Sequence, residues 1–187
     1  LTTANSIGVR DAMLMFDEAF GRYPVWEVSE GDVSKLGDYY SSAFGANYKQ
    51  LNDGESANEM QKLNMLSPLA KALQARYIGV NPNPLGDKHQ LMSDSLGTDY
   101  DKAHATYHPS IKGFLEAFGY YDIFLVDNDG NIVYSVFKEL DFATNLNSGP
   151  YANSGIAKAF KGALNLSPSD YHLEDFAPYY PSYEAAA

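Results

Sequence analysis

The chain has 187 residues, 45% hydrophobic, enough for one domain with a real core or a core plus a helical appendage. Its net charge of −11 repels nucleic acid and disfavours an anionic membrane surface, because binding either needs clustered Lys and Arg. With no cysteine, disulfide scaffolds, thiol catalysis and Cys-based zinc sites are excluded.

Residues 6–20 place Ile7, Met13, Leu14, Phe16 and Phe20 at helical spacing, and Gly21, Pro24 and Trp26 end that run. Leu1 already stands close to this pattern, so the chain is expected to be a piece of a longer protein. A second helix is expected over 33–51, where Val33, Leu36, Tyr40, Phe44, Tyr48 and Leu51 recur every three or four residues. Ser56 and Glu59 form a capping-box pattern ahead of a third helix that carries Met60, Leu63, Leu66, Ala70, Leu73 and Tyr77. Pro68 is expected to kink it. The Asn81-Pro82-Asn83-Pro84 stretch reads as extended loop.

Thr98 and Asp101 are placed to cap a fourth helix through Tyr100, His104, Tyr107, Ile111, Phe114 and Phe118, stopped by Gly119. Pro109 predicts a kink or break near His108. The period then changes from 3.6 to 2. Residues 121–127 and 131–138 are β-branched and aromatic, and Asp127-Asn128-Asp129-Gly130 joins them as a hairpin turn. A loop over 139–152 leads to a helix over 154–165, and the Tyr- and Pro-rich remainder has no period. Because an isolated hairpin is marginal in water, further strands are expected, most simply beyond Ala187.

Few residues suggest catalysis. His104 and His108 are four apart, as a zinc pair on one helix face would be, but Ala105 stands where a zinc protease carries Glu. A zinc-dependent hydrolase built on that pair is the reading of another class. The 127–131 turn lacks the spacing of a calcium loop, since Gly130 comes too early and Lys138 stands where the closing Glu would be. Lys138 ends a strand among aromatics, where it could meet an anionic ligand or simply face solvent. Strict alternation puts Tyr134, Val136 and Lys138 on one face and Val133, Ser135 and Phe137 on the other. Ser135 and Lys138 can therefore share a pocket only if the strand twists or bulges.

Four segments carry a resemblance: YIGVNPNPLGDKHQL (77–91), YDKAHATYHPSIKGFLEAFGYYDIFLVDNDGNIVYSVFKELDFATNL (100–146), GPYANSGIAKAFKGAL (149–164) and FAPYYPSY (176–183). They resemble the periplasmic Cache-type, PAS-like sensor region of bacterial methyl-accepting chemotaxis proteins and of related receptor kinases and cyclases. The resemblance implies an α+β fold, with an N-terminal helical region (1–98) packed with a PAS-like antiparallel sheet module (99–187) that lacks its last strands. It implies recognition of a small molecule, such as an organic acid or amino acid, between the sheet and its covering loops. It further implies a periplasmic location, a homodimer formed through the N-terminal helices, and signalling across the inner membrane with no enzymatic step and no cofactor. The amino-acid signature of two-module Cache sensors, an Arg with a Trp-Tyr pair, is absent, and Trp26 stands alone. The residues expected at the pocket are Tyr121, Ser135, Lys138, Asp141 and Tyr151, with His108 nearby.

Overall fold

A computed structural model describes residues 7–187, with the side chain of Ile7 left out. Ser6, the expected first residue of the opening helix, and Leu1 lie outside the described residues.

Helix α1 (Ile7–Gly21) buries Ala12, Phe16, Ala19 and Phe20 and leaves Leu14 exposed, so Leu14 does not belong to its core stripe. Helix α2 (Glu30–Asp38) opens with a capping box in which Ser29 Oγ accepts the Asp32 amide. It runs without interruption through a π-helical turn (Tyr39–Phe44) into α3 (Gly45–Leu51). The wider turn turns Tyr40 and Phe44 both into the core.

Two expected local features are corrected here. The Ser56–Glu59 capping box does not form: Asn58 caps α4 (Glu59–Asn64) with a left-handed backbone, φ 52°, and no side-chain bond. Pro68 does not kink a continuous helix. Ser67 Oγ accepts the Ala70 amide at 3.1 Å and starts a new helix, α5 (Pro68–Gln74), with proline in the first turn, where its missing N–H costs nothing. A second π-helical turn (Ala75–Gly79) follows and packs against α2. Arg76 in that turn reaches both Asp94 and Asp32, tying it to the 88–97 loop and to the start of α2.

Helix α6 (Asp99–Phe118) carries the Thr98–Asp101 capping box and ends at Gly119, φ 69°. It is unbroken at Pro109. That residue and Ala105, whose carbonyl loses its usual partner, both lie on the exposed face, where water can satisfy the carbonyl. Strands β1 (Phe124–Val126) and β2 (Ile132–Ser135) pair antiparallel around a turn in which Gly130 has φ 88°. The ladder slips between Leu125 and Val126, a bulge that breaks strict alternation along β2. Helix α7 (Gly155–Ala163) covers one side of the hairpin through Ile156, Ala157 and Phe160. The opposite side packs on α1 and α6: the Phe16 and Tyr134 rings lie 4.6 Å apart, and Tyr100 Oη donates to the Val133 carbonyl at 2.7 Å.

The last residues form a short ribbon, β3 (Pro178–Tyr179) with β4 (Ala185–Ala186), closed through Tyr183 and Glu184 in left-handed conformation. The fold is thus mixed, largely helical, with two-stranded antiparallel ribbons among the described residues. The main apolar cluster draws on both sides of residue 98, from Ala12 and Leu36 to Tyr134 and Tyr151. No helix among the described residues is long and apolar enough to cross a membrane.

Candidate functional site

Chemistry concentrates where β2 ends. After Ser135 the chain turns sharply, and Lys138 adopts φ 57°. The turn is held from both ends. Ser135 Oγ accepts the Lys138 amide, and Asp122 Oδ1 accepts the amides of Ile123 (2.6 Å), Val136 (2.9 Å) and Phe137 (3.3 Å). Ser135 and Lys138 come together because the strand has already ended, which resolves the conflict that strict alternation poses.

Lys138 is fully enclosed. Its ammonium donates to the Ser135 carbonyl and stands over the rings of Tyr134 (4.3 Å), Phe142 (5.1 Å) and Tyr77 (5.9 Å). Burial pulls its pKa down, against the pull of Asp122. One carbonyl and three aromatic rings thus hold the ammonium inside the protein.

Three carboxyls surround the same turn. Burial, reinforced by Asp141, pushes Asp122 up. Burial, reinforced by Asp141 and Asp122, pushes Glu139 up to about 8. Asp141 is buried completely and raised to about 6, although its Oδ2 accepts the Tyr179 hydroxyl at 2.5 Å. Asp122 Oδ2 and Asp141 Oδ1 are buried with no hydrogen-bond partner. So are the hydroxyls of Tyr151 and Tyr180, whose rings lie 6.1 Å apart. Burial, then the neighbouring Tyr40, Asp141, Tyr180 and Glu139, drives the Tyr151 phenol upward, which places these groups around one region. Each such orphaned polar atom costs free energy that a ligand could recover.

Two cavities reach this cluster. One of about 350 Å³ is lined by Lys138, Glu139, Tyr39, Phe44 and Tyr183. Another of about 460 Å³ is lined by Tyr121, Asp122, Tyr179 and the 172–178 segment. The C-terminal ribbon lies across them. Tyr121 Oη lies within reach of both Glu139 (3.2 Å) and Ser182 Oγ (2.7 Å), while Tyr179 holds Asp141. A larger trough of about 790 Å³ between α1, β1 and α7 is nearly all apolar, with Arg10 and His172 its only polar side chains among the described residues.

Of the expected site residues, the fold gathers Tyr121, Ser135, Lys138, Asp141 and Tyr151 around the 135–141 turn. His108 lies apart, beyond Tyr134. Its Nε2–H donates to the His89 carbonyl at 2.8 Å, so its Nδ1 accepts the Tyr134 hydroxyl at 2.7 Å. Both ring nitrogens are engaged, and burial pulls its pKa down to about 3. His104 donates Nδ1–H to Met92, and its ring stacks on His108 at 4.3 Å. The pair therefore does not present two free nitrogens to one zinc ion. No group of three or more His, Cys, Asp or Glu among the described residues is placed to hold a metal.

Sequence reasoning missed Asp122, Glu139, Tyr179 and Tyr180 as members of the site. An Asp two residues ahead of a strand is a signal for amide capping, and it could have found Asp122. No family model, curated protein or solved structure matches the chain.

Proposed function

We propose that this chain is the extracytoplasmic, ligand-sensing domain of a bacterial transmembrane receptor, of the Cache or PAS-like kind found in methyl-accepting chemotaxis proteins. The resemblance over 77–187 supports this reading, and one structural observation carries it. A buried cluster of Asp122, Asp141 and Tyr151 leaves several polar atoms without partners, beside cavities large enough for a small metabolite and under the C-terminal ribbon. A histidine kinase or nucleotide cyclase receptor would use the same recognition step, because the output lies outside the sensor. The proposal includes no catalytic step and no cofactor.

Signalling requires that the ligand prefer one of two arrangements. Helix α1 is the element to transmit it: Phe16 packs on Tyr134 of β2, while Leu14 and Met15 face outward and suit a partner helix in a homodimer. A receptor of this kind sits in the inner membrane with the present chain in the periplasm.

Thermal-shift screening against organic acids, amino acids and amines tests the reading. A ligand at a hundredfold excess over its Kd should add about 2.7 kcal/mol of stability. Failure of every class to raise the unfolding midpoint would remove the sensor reading.

A further inference from the structure

We infer that the cavity of about 350 Å³ walled by Lys88, Tyr39, Phe44, Phe137 and Tyr183 takes a small carboxylate with a flat apolar body, its anionic end on Lys88. This rests on the sensor reading and names the ligand chemistry of one of its cavities.

The lysine comes first. Lys88 is only 6% exposed. Asn81 holds it at both ends: the Lys88 ammonium donates to the Asn81 carbonyl at 2.8 Å, and the Asn81 side-chain amide donates to the Lys88 carbonyl at 2.9 Å. The ammonium stands 5.1 Å from the centroid of the Tyr39 ring, itself a wall of the cavity. Only one of its three N–H groups thus meets an oxygen. Among the described residues it forms no ion pair, and burial alone pulls its pKa down. A buried cation without a counter-ion is costly, and an anion entering this cavity would supply one.

Negative charge does not oppose that entry. Glu139 is the cavity's only carboxyl among the described residues. Burial, reinforced by Asp141 and Asp122, holds it up to about 8, so at neutral pH it keeps its proton. Lys138 lines the same cavity and adds positive charge whenever it is protonated. The walls define the rest of the ligand. Four aromatic rings, those of Tyr39, Phe44, Phe137 and Tyr183, suit a flat apolar body better than a bare acetate-sized anion.

Binding should take up protons. An anion beside Lys88, Lys138 and Glu139 raises the pKa of each, so all three hold a proton more firmly. Asp122 and Asp141, which act on Glu139, shift in the same sense. So does His89, whose ring packs on Phe137 at 4.5 Å and which burial keeps neutral. The phenols of Tyr39, Tyr183 and Tyr121 are raised by burial and stay protonated throughout. Affinity should therefore fall as pH rises through about 8.

The experiment is isothermal titration and thermal unfolding of the full chain with benzoate and phenylacetate, set against acetate, benzylamine and benzyl alcohol, in two buffers of different ionisation enthalpy. The expected result is that an arylcarboxylate binds, raises the midpoint and takes up protons, that acetate binds at least about tenfold more weakly, and that benzylamine and benzyl alcohol do not bind. Lys88→Met should weaken arylcarboxylate binding at least about tenfold. If Lys88→Met does not fold, Asn47→Trp decides, since it fills the same cavity from a half-buried position and should abolish binding. Undiminished binding to a folded Lys88→Met or to Asn47→Trp overturns the assignment of the site. Equal binding of benzylamine or benzyl alcohol overturns the role of charge, and equal binding of acetate overturns the role of the rings. Silence from both arylcarboxylates overturns the inference; the sensor reading then stands if an amino acid, an amine or another organic acid raises the midpoint, and falls with it if none does.

Discussion

The Asp122 carboxylate accepts the Val136 amide at 2.9 Å and thereby fixes where β2 stops. The same oxygen serves the amides of Ile123 and Phe137, so one atom organises the whole 135–138 turn. Asp122→Ala is expected to cost about 2–4 kcal/mol in urea unfolding, because it strands several amides at once. Asp122→Asn keeps an acceptor oxygen in place and should cost about 1 kcal/mol.

Stability should fall as pH rises from 6 to 8. With Glu139 held near 8 and Asp141 near 6 by burial, the folded chain keeps protons that ordinary unfolded carboxyls have released. Asp122, pushed up, adds to this fall below about pH 7, whereas Lys138, pulled down, works against it above about pH 7. Well below pH 6 the histidines reverse the trend: His108, lowered to about 3, and His104 refuse protons that the unfolded chain accepts. Urea unfolding should show a maximum on the acid side of pH 6, and Glu139→Gln should flatten the alkaline side.

His108 bridges Tyr134 and His89 inside the protein. His108→Phe leaves the buried Tyr134 hydroxyl without its acceptor and is expected to cost about 2–4 kcal/mol. Adding Tyr134→Phe should cost less than the sum of the two single changes, since the second removes a group that the first has already stranded. Added zinc should leave the unfolding midpoint of the unaltered protein where it was.

Gly79 lies against α2 so closely that an added Cβ would stand 2.8 Å from the Leu36 nitrogen and 3.0 Å from its Cα. Backbone cannot yield as a side-chain tip can. Gly79→Ala should therefore cost about 1–3 kcal/mol, measurable as a drop in the thermal midpoint.

Much of the frame was legible in the sequence because its signals are local. The Thr98–Asp101 box, Gly119 and the turn at Gly130 act within a few residues of chain and form as expected. Tyr121, Ser135, Lys138 and Asp141 could be read together for the same reason, since they lie close in sequence to one strand end. The illegible parts depend on distant partners. Nothing near Pro109 announces that it will face solvent, and nothing near Ser56 announces that Asn58 will adopt a left-handed cap. Tyr179 and Tyr180 sit in a stretch without period, and only the folded chain shows that their roles come from Asp141, 38 residues away, and from Phe44 and Tyr48.

The closing ribbon has a second attachment. Tyr48 donates to Glu184 at 3.1 Å, and Asn52 donates to the Tyr183 carbonyl at 3.2 Å, so α3 holds the same strap whose Tyr179 rests on Asp141. Lifting one end pulls on the other. The strap is thus pinned at two separate elements, and a displacement of Tyr179 would load the hydrogen bonds at the far end of α3.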